Sequence, residues 1–274
     1  MRSELAIYDL ASSVVTSVLE TDQLIEAPNW TLDGKALINN GDGHIYRVDL
    51  ATREQKIIDT GFADACNNDH GISPDGSTLV ISNGAALGES IMYTLHLNGG
   101  TPRRVTENSP SYWHGWSPDG AKLAYVANRS GTYQVFTIPV QGGEEFQVTR
   151  DFDHCDGPNY TPDGKWIWFN GERAGAVQLW RVAPGGANLQ QMTFDDRVNW
   201  FPHPSPDGKH VVFVAYANSV KGHPRDKHVE LRLMPAKGGQ TKTLLELFGG
   251  QGTMNVPCWS ARGDRFAFVR YQPG

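Results

Sequence analysis

Residues 112–120 read Tyr112, Trp113, His114, Gly115, Trp116, Ser117, Pro118, Asp119, Gly120, and the apolar Leu123, Ala124, Tyr125 and Val126 follow. The core of this stretch recurs along the chain. Ser73-Pro74-Asp75-Gly76 precedes it, and Thr161-Pro162-Asp163-Gly164 and Ser205-Pro206-Asp207-Gly208 come after. Two degenerate copies, Thr31-Leu32-Asp33-Gly34 and Ser260-Ala261-Arg262-Gly263, bring the number to six, with starts 42, 44, 44, 44 and 55 residues apart. A fixed period of about 40 to 45 residues is the signature of β-propeller blades. The fold expected is all-β: a six-bladed propeller of four-stranded antiparallel blades.

Each copy has a mechanical reason. Ser or Thr, then Pro, Asp and Gly, are the residues a type I turn prefers at its four positions, because Pro pre-sets φ and Gly leaves the turn without strain. The turn therefore joins two strands, and its Asp reads as a turn residue rather than a catalytic one. The unbroken period divides the 274 residues as one domain. Residues 26–67, 68–111, 112–155, 156–199 and 200–254 are blades 1 to 5, and 255–274 begin blade 6. The N-terminal segment, residues 1–25, carries two short strands, Leu5 to Leu10 and Val14 to Leu19, expected to complete blade 6 as its third and fourth strands. That closes the ring and covers strand edges that would otherwise be open.

The formal net charge of −6 and the lack of any Lys/Arg run argue against a nucleic-acid or membrane-surface partner. No 18-residue apolar stretch is present to span a membrane. An early Glu4 and the lack of an apolar leader core give a cytoplasmic expectation, or a periplasmic one if a leader has been removed. A monomer is expected. Cys66, Cys155 and Cys258 fall just before or within the first strands of blades 2, 4 and 6, with a blade between each pair, too far apart for disulfides, and read as packing residues in a reducing compartment.

An apolar residue or Trp, Ser-Pro-Asp-Gly, an apolar strand, a loop of the Asn128-Arg129-Ser130-Gly131 type, a second apolar strand, a Gly-Gly turn and Val-Thr make up the repeat. This pattern resembles the propeller repeat of TolB-type proteins over essentially the whole chain. TolB proteins add an N-terminal α/β domain and are exported to the periplasm, whereas this chain starts on propeller strands. Propellers of similar repeat also serve as lids of prolyl-oligopeptidase-like peptidases and as oligogalacturonate lyases. The peptidase reading lacks both a Gly-x-Ser-x-Gly elbow and residues for a hydrolase domain.

One mouth of the propeller is chemically distinctive. His70 and His114 occupy the same place, three residues before the turn Ser of adjacent blades, where other copies have Pro28, Pro158, Pro202 and Pro257. Asn68, Asp69, Tyr112 and Trp113 lie beside them; Asp153, His154 and Asp156 enter from blade 4, and Trp200 and His203 from blade 5. In one reading His70, His114, His154 and His203, with an Asp, hold a divalent transition metal such as Zn, Mn, Fe or Ni. In the other they hydrogen-bond between loops. Trp113 and Trp200 either stack on a ligand or pack between blades.

An insertion of about eight residues within Asn218 to His228 of blade 5 is expected to project over this mouth as a lid, with Lys221, His223 and Arg225. With Arg129, Arg173 and Arg197 its cations could meet an anionic ligand such as a uronate, although Asp64, Asp151, Asp153, Asp195 and Asp196 share the face. Two functions follow. The first is a non-enzymatic binding module that takes a protein loop, peptide or small anionic ligand at the mouth. The second is a metal-dependent lyase or hydrolase on an acidic sugar, resembling oligogalacturonate lyase, with the four histidines as ligands. No catalytic residue is assigned.

Overall fold

The chain was analysed as a computed structural model that describes residues 2–84 and 89–272. Met1, Pro273 and Gly274 at the ends of the expected blade 6, and residues 85–88 of blade 2, lie outside the described residues. The chain opens with β1 (Arg2–Asp9) and β2 (Val15–Thr21). Blade 1 is β3 (Glu26–Trp30), β4 (Ala36–Gly41), β5 (His44–Asp49) and β6 (Gln55–Ile58). Blade 2 is β7 (Cys66–Ile72), β8 (Thr78–Asn83), β9 (Ile91–His96) and β10 (Arg103–Arg104). Blade 3 is β11 (Ser111–Trp116), β12 (Lys122–Asn128), β13 (Tyr133–Pro139) and β14 (Phe146–Gln147). Blade 4 is β15 (His154–Tyr160), β16 (Ile167–Arg173), β17 (Ala176–Val182) and β18 (Gln190–Gln191). Blade 5 is β19 (Val198–Pro204), β20 (His210–Tyr216), β21 (Lys227–Pro235) and β22 (Lys242–Gly249), and β23 (Arg265–Gln272) belongs to blade 6. Each of blades 1 to 5 is a four-stranded antiparallel meander in chain order.

The repeated turn explains why the copies fold alike. Ser117 Oγ donates to Asp119 Oδ1 at 2.6 Å and accepts from Lys122 N at 2.8 Å, while Asp119 Oδ1 accepts from Ala121 N at 3.0 Å. Thr31, Ser73, Thr161 and Ser205 repeat the hydroxyl-to-Asp bond with Asp33, Asp75, Asp163 and Asp207. Those bonds hold the turn carboxyls below the usual range, which is the electrostatic mark of a structural role. Gly120 sits at φ 70°, a conformation that leaves the turn without the strain a Cβ would add.

The ring closes between the two ends of the chain. β1 pairs antiparallel with β23 from Arg2↔Gln272 to Asp9↔Arg265, and β2 lies outside β1. Across that seam Arg270 donates to both oxygens of the buried Glu4, at 2.8 and 2.9 Å. The innermost element of blade 6 is shorter than the sequence suggested. It is a single bridge, Trp259↔Phe266, since Pro257 has no N–H to give a ladder and Asn255 turns its side chain to Gly252 N.

Blades pack face to face through aromatic side chains. Trp113, 1% exposed, lies against Gly71 of the preceding blade, where an added Cβ would stand 2.1 Å from a Trp113 ring atom. Gly71→Ala is expected to lower stability by about 1–3 kcal/mol through overpacking, measured by urea denaturation. A variant with an unchanged midpoint would show that this interface has slack. The three cysteines are buried and unpaired, and burial pushes the Cys66 and Cys155 thiols up to about 12.

Candidate functional site

The first strands of blades 1 to 5 each carry a bulge or register break where the chain passes the channel mouth: Glu26/Asn29, Cys66/His70, Trp113/Gly115, Asp156/Asn159 and Trp200/His203. Ala27, Gly157 and Phe201 take positive φ there, at 54°, 59° and 54°. Pro28, Pro158 and Pro202 follow them, at positions where no ladder N–H is required. These breaks turn side chains inward. The residues five positions before the turn residue, Glu26, Asn68, Tyr112, Asp156 and Asn255, all line one cavity of about 450 Å³.

His114 is the pivot of this cavity. Its Nε2 lies 2.8 Å from Asp156 Oδ1 and 3.9 Å from Asp69 Oδ1, and its Nδ1 lies 3.3 Å from the Asn255 carbonyl. Both ring nitrogens thus face acceptors, the pattern of an imidazolium. Burial works against the charge, but Asp69 and Asp156 outweigh it and raise the pKa to about 9. Asp156 is buried as well, yet His114, with His223 and His154 nearby, holds its carboxyl far below the ordinary range. Asp69 goes the other way. Burial, opposed by His114 and reinforced by Asp156 and Glu26, raises it to about 7, and burial also raises Glu26.

The other residues singled out from the sequence separate into two groups. Asn68, Asp69, Tyr112, His114, His154, Asp156 and the lid residue His223 face the cavity. The four histidines assigned to a metal do not come together. His70 and His203 are back in the ladder, opposite Ile81 and Val212, whereas His114 stands at the break itself between Trp113 and Gly115. Equivalent positions therefore point different ways. His203 is neutral in the core: Nε2 contacts the Met254 carbonyl at 2.9 Å, Nδ1 contacts the Asn159 amide at 3.2 Å, and burial lowers its pKa to about 3. His70 is fully buried, with neither ring nitrogen hydrogen-bonded and its pKa lowered to about 4 by burial.

Trp113 belongs to the blade interface. Trp200 is buried under the lid, its ring centroid 4.3 Å from that of His223 and 5.8 Å from that of His154. Asp153 points away and accepts from Ala174 N at 3.2 Å. Lys221 is exposed, and Arg225 lies 3.4 Å from Asp226. The arginines expected to draw an anion are engaged elsewhere. Arg129 pairs with Glu145 at 2.7 Å, Arg173 lies 3.8 Å over the Phe152 ring, and Arg197 pairs with Glu230. Glu26, Asn67, Tyr133, Gln251 and Asn255 complete the cavity without having been singled out in the sequence. For Glu26 and Asn255 the signal was present: both share the register of Asn68, Tyr112 and Asp156.

A family profile described as the TolB beta propeller domain matches residues 113–227. Atu1656, an uncharacterized protein of Agrobacterium fabrum, is 48% identical over 274 residues, all of this chain and 94% of that protein. A solved protein of Agrobacterium tumefaciens, provisionally described as TolB, is also 48% identical, with a TM-score of 0.97 over 100% of this chain and 99% of that one. The chain belongs to the TolB-like β-propeller family. Within it, likeness to TolB from Acinetobacter baumannii is one of fold: 20% identity and a TM-score of 0.71, over 91% of this chain and 64% of that one. An oligogalacturonate lyase from Vibrio parahaemolyticus shares the fold more distantly, at 16% identity and a TM-score of 0.58, over 90% of this chain and 73% of that one. Among the described residues, no helix is long and apolar enough to cross a membrane.

Proposed function

We propose that this TolB-like propeller is a non-enzymatic binding module that takes a peptide or the tip of a protein loop into its mouth cavity. The observation that carries the reading is the convergence of Glu26, Asn68, Tyr112, Asp156 and Asn255, from five blades, onto one cavity of about 450 Å³. That volume is within the range of about 300–1,000 Å³ usual for ligand pockets. The lining suits a peptide backbone. Asn67, Asn68, Asn255 and Gln251 offer amide donors and acceptors together, and Tyr112 and Tyr133 add flat apolar faces. A free anion is a poorer fit, because Glu26, Asp69 and Asp156 crowd the cavity while Arg129, Arg173 and Arg197 are occupied outside it. The cytoplasm is the location proposed with this function, which three unpaired cysteines suit.

Selection from a random-peptide display library tests the reading. Enriched peptides are expected to bind the wild type with 1:1 stoichiometry and to lose at least about tenfold in affinity, ~1.4 kcal/mol, on Tyr112→Ala. Enriched peptides that bind Tyr112→Ala and Asn68→Ala as tightly as the wild type would refute it.

A further inference from the structure

We propose that His154, Asp156 and His223 hold a divalent first-row transition-metal ion at the rim of the mouth cavity. One ligand atom from each of the three lies within 4.8 Å of the others. The elements that bring them together are independent. His154 and Asp156 stand two apart on β15, opposite Glu172 and Asn170, so they share a face while Cys155 between them points into the core. His223 arrives from the blade 5 insertion, which is tied down where Tyr216 Oη donates to the Pro224 carbonyl at 3.3 Å. Asp156 Oδ2 and His223 Nε2 are 3.4 Å apart. Two ligands of a tetrahedral ion at ~2.1 Å bond lengths are separated by about the same distance.

The surroundings prepare the three side chains for this role. Asp156 Oδ1 is engaged by His114 at 2.8 Å and Gly157 N at 2.8 Å, which leaves Oδ2 for the ion and fixes the carboxylate plane, the usual task of groups behind a metal ligand. Trp200 wedges against both imidazoles, Phe201 meets His223 edge-on at 5.2 Å, and Tyr133 packs on His154 at 5.3 Å. Two imidazoles and one carboxylate favour Zn, Mn, Fe, Co or Ni over Ca or Mg, which take oxygen ligands.

Three protein ligands leave coordination positions open, and these face the cavity beside Tyr112, Tyr133 and Gln251. The ion would meet an oxygen of the ligand there, a terminal carboxylate or a carbonyl. This deepens the binding-module reading and rests on it for the ligand, though not for the metal.

The test uses untagged full-length protein stripped of metal and titrated with Co²⁺, followed by visible d–d absorption and by displacement with Zn²⁺. One equivalent is expected to bind. His223→Ala, a change on the lid rather than in a blade, is expected to weaken binding at least about 100-fold, and the exposed His96→Ala to leave it unchanged. Absence of Co²⁺ absorption, or equal affinity in wild type and His223→Ala, would overturn the proposal. Peptide affinity measured in chelator separates the two readings. Selected peptides that bind metal-free protein taking up no cobalt would leave the binding module standing and overturn the metal, whereas cobalt binding without any selected peptide would do the reverse.

Discussion

Removal of residues 2–21 is expected to abolish the folded state at 25 °C, leaving a fragment with no cooperative thermal transition. These residues supply β1 and β2, the outer half of blade 6. Leu5, Ile7, Tyr8 and Val18 go with them, all buried and spread over two core clusters. Burial of one such side chain stabilises by about 1.5–3 kcal/mol, so the four together approach a domain's whole stability of roughly 5–15 kcal/mol. The loss does not stop there. β23 would be left with an open outer edge along Phe266, Ala267, Phe268 and Val269, an apolar edge that favours aggregation, and Arg270 would lose Glu4. A truncated chain melting within a few degrees of the intact one would contradict closure of the ring by β1.

His114→Ala is expected to cost about 3–5 kcal/mol at pH 6, because it strips the counter-charge from the buried Asp156. That corresponds to a fall of about 10 °C in Tm. The loss depends on pH in a defined direction. The folded-state pKa of His114, about 9, lies above its ordinary value of 6.5. Its stabilisation is therefore complete below pH 6.5 and disappears as pH rises through 9. Asp156, with its folded pKa depressed, contributes above its ordinary 3.8 and loses that contribution as acid overtakes the folded value. The gap between wild type and variant should thus be widest from about pH 4 to 6.5 and close toward pH 10. His70 and His203, neutral in the fold with pKa lowered to about 4 and 3, weaken both proteins as pH falls below 6.5 and cancel in the comparison. Urea denaturation at pH 6 and pH 10 measures the effect; equal midpoints at pH 6 would contradict an ionised His114.

The repeat was legible because its cause is local. Ser117, Pro118, Asp119 and Gly120 form their turn with bonds among themselves and the next few residues, so a short window of sequence contains the whole reason for it. Ring closure was legible by subtraction, since two strands were left over at one end and two were missing at the other. Side-chain direction at the mouth was not. His70 and His114 hold the same place in the repeat, but one is paired in the ladder and the other stands at the bulge, and a bulge depends on how a strand meets its neighbour. Charge at the mouth was also hidden. Arg129 and Arg173 looked free in the sequence, yet Glu145 and Phe152 capture them in three dimensions. The lid's length could be counted, while the approach of His223 to Asp156 depends on Trp200 beneath it.

Hydrogen exchange of the protein with and without a selected peptide tests most directly whether the mouth is where this propeller binds. Slowed exchange is predicted in 66–70, 111–116, 154–157 and 217–226, with the opposite-end turns 117–120 and 161–164 unchanged. Protection confined to the turns or to the outer strands, with the mouth segments exchanging as before, would place the binding surface elsewhere.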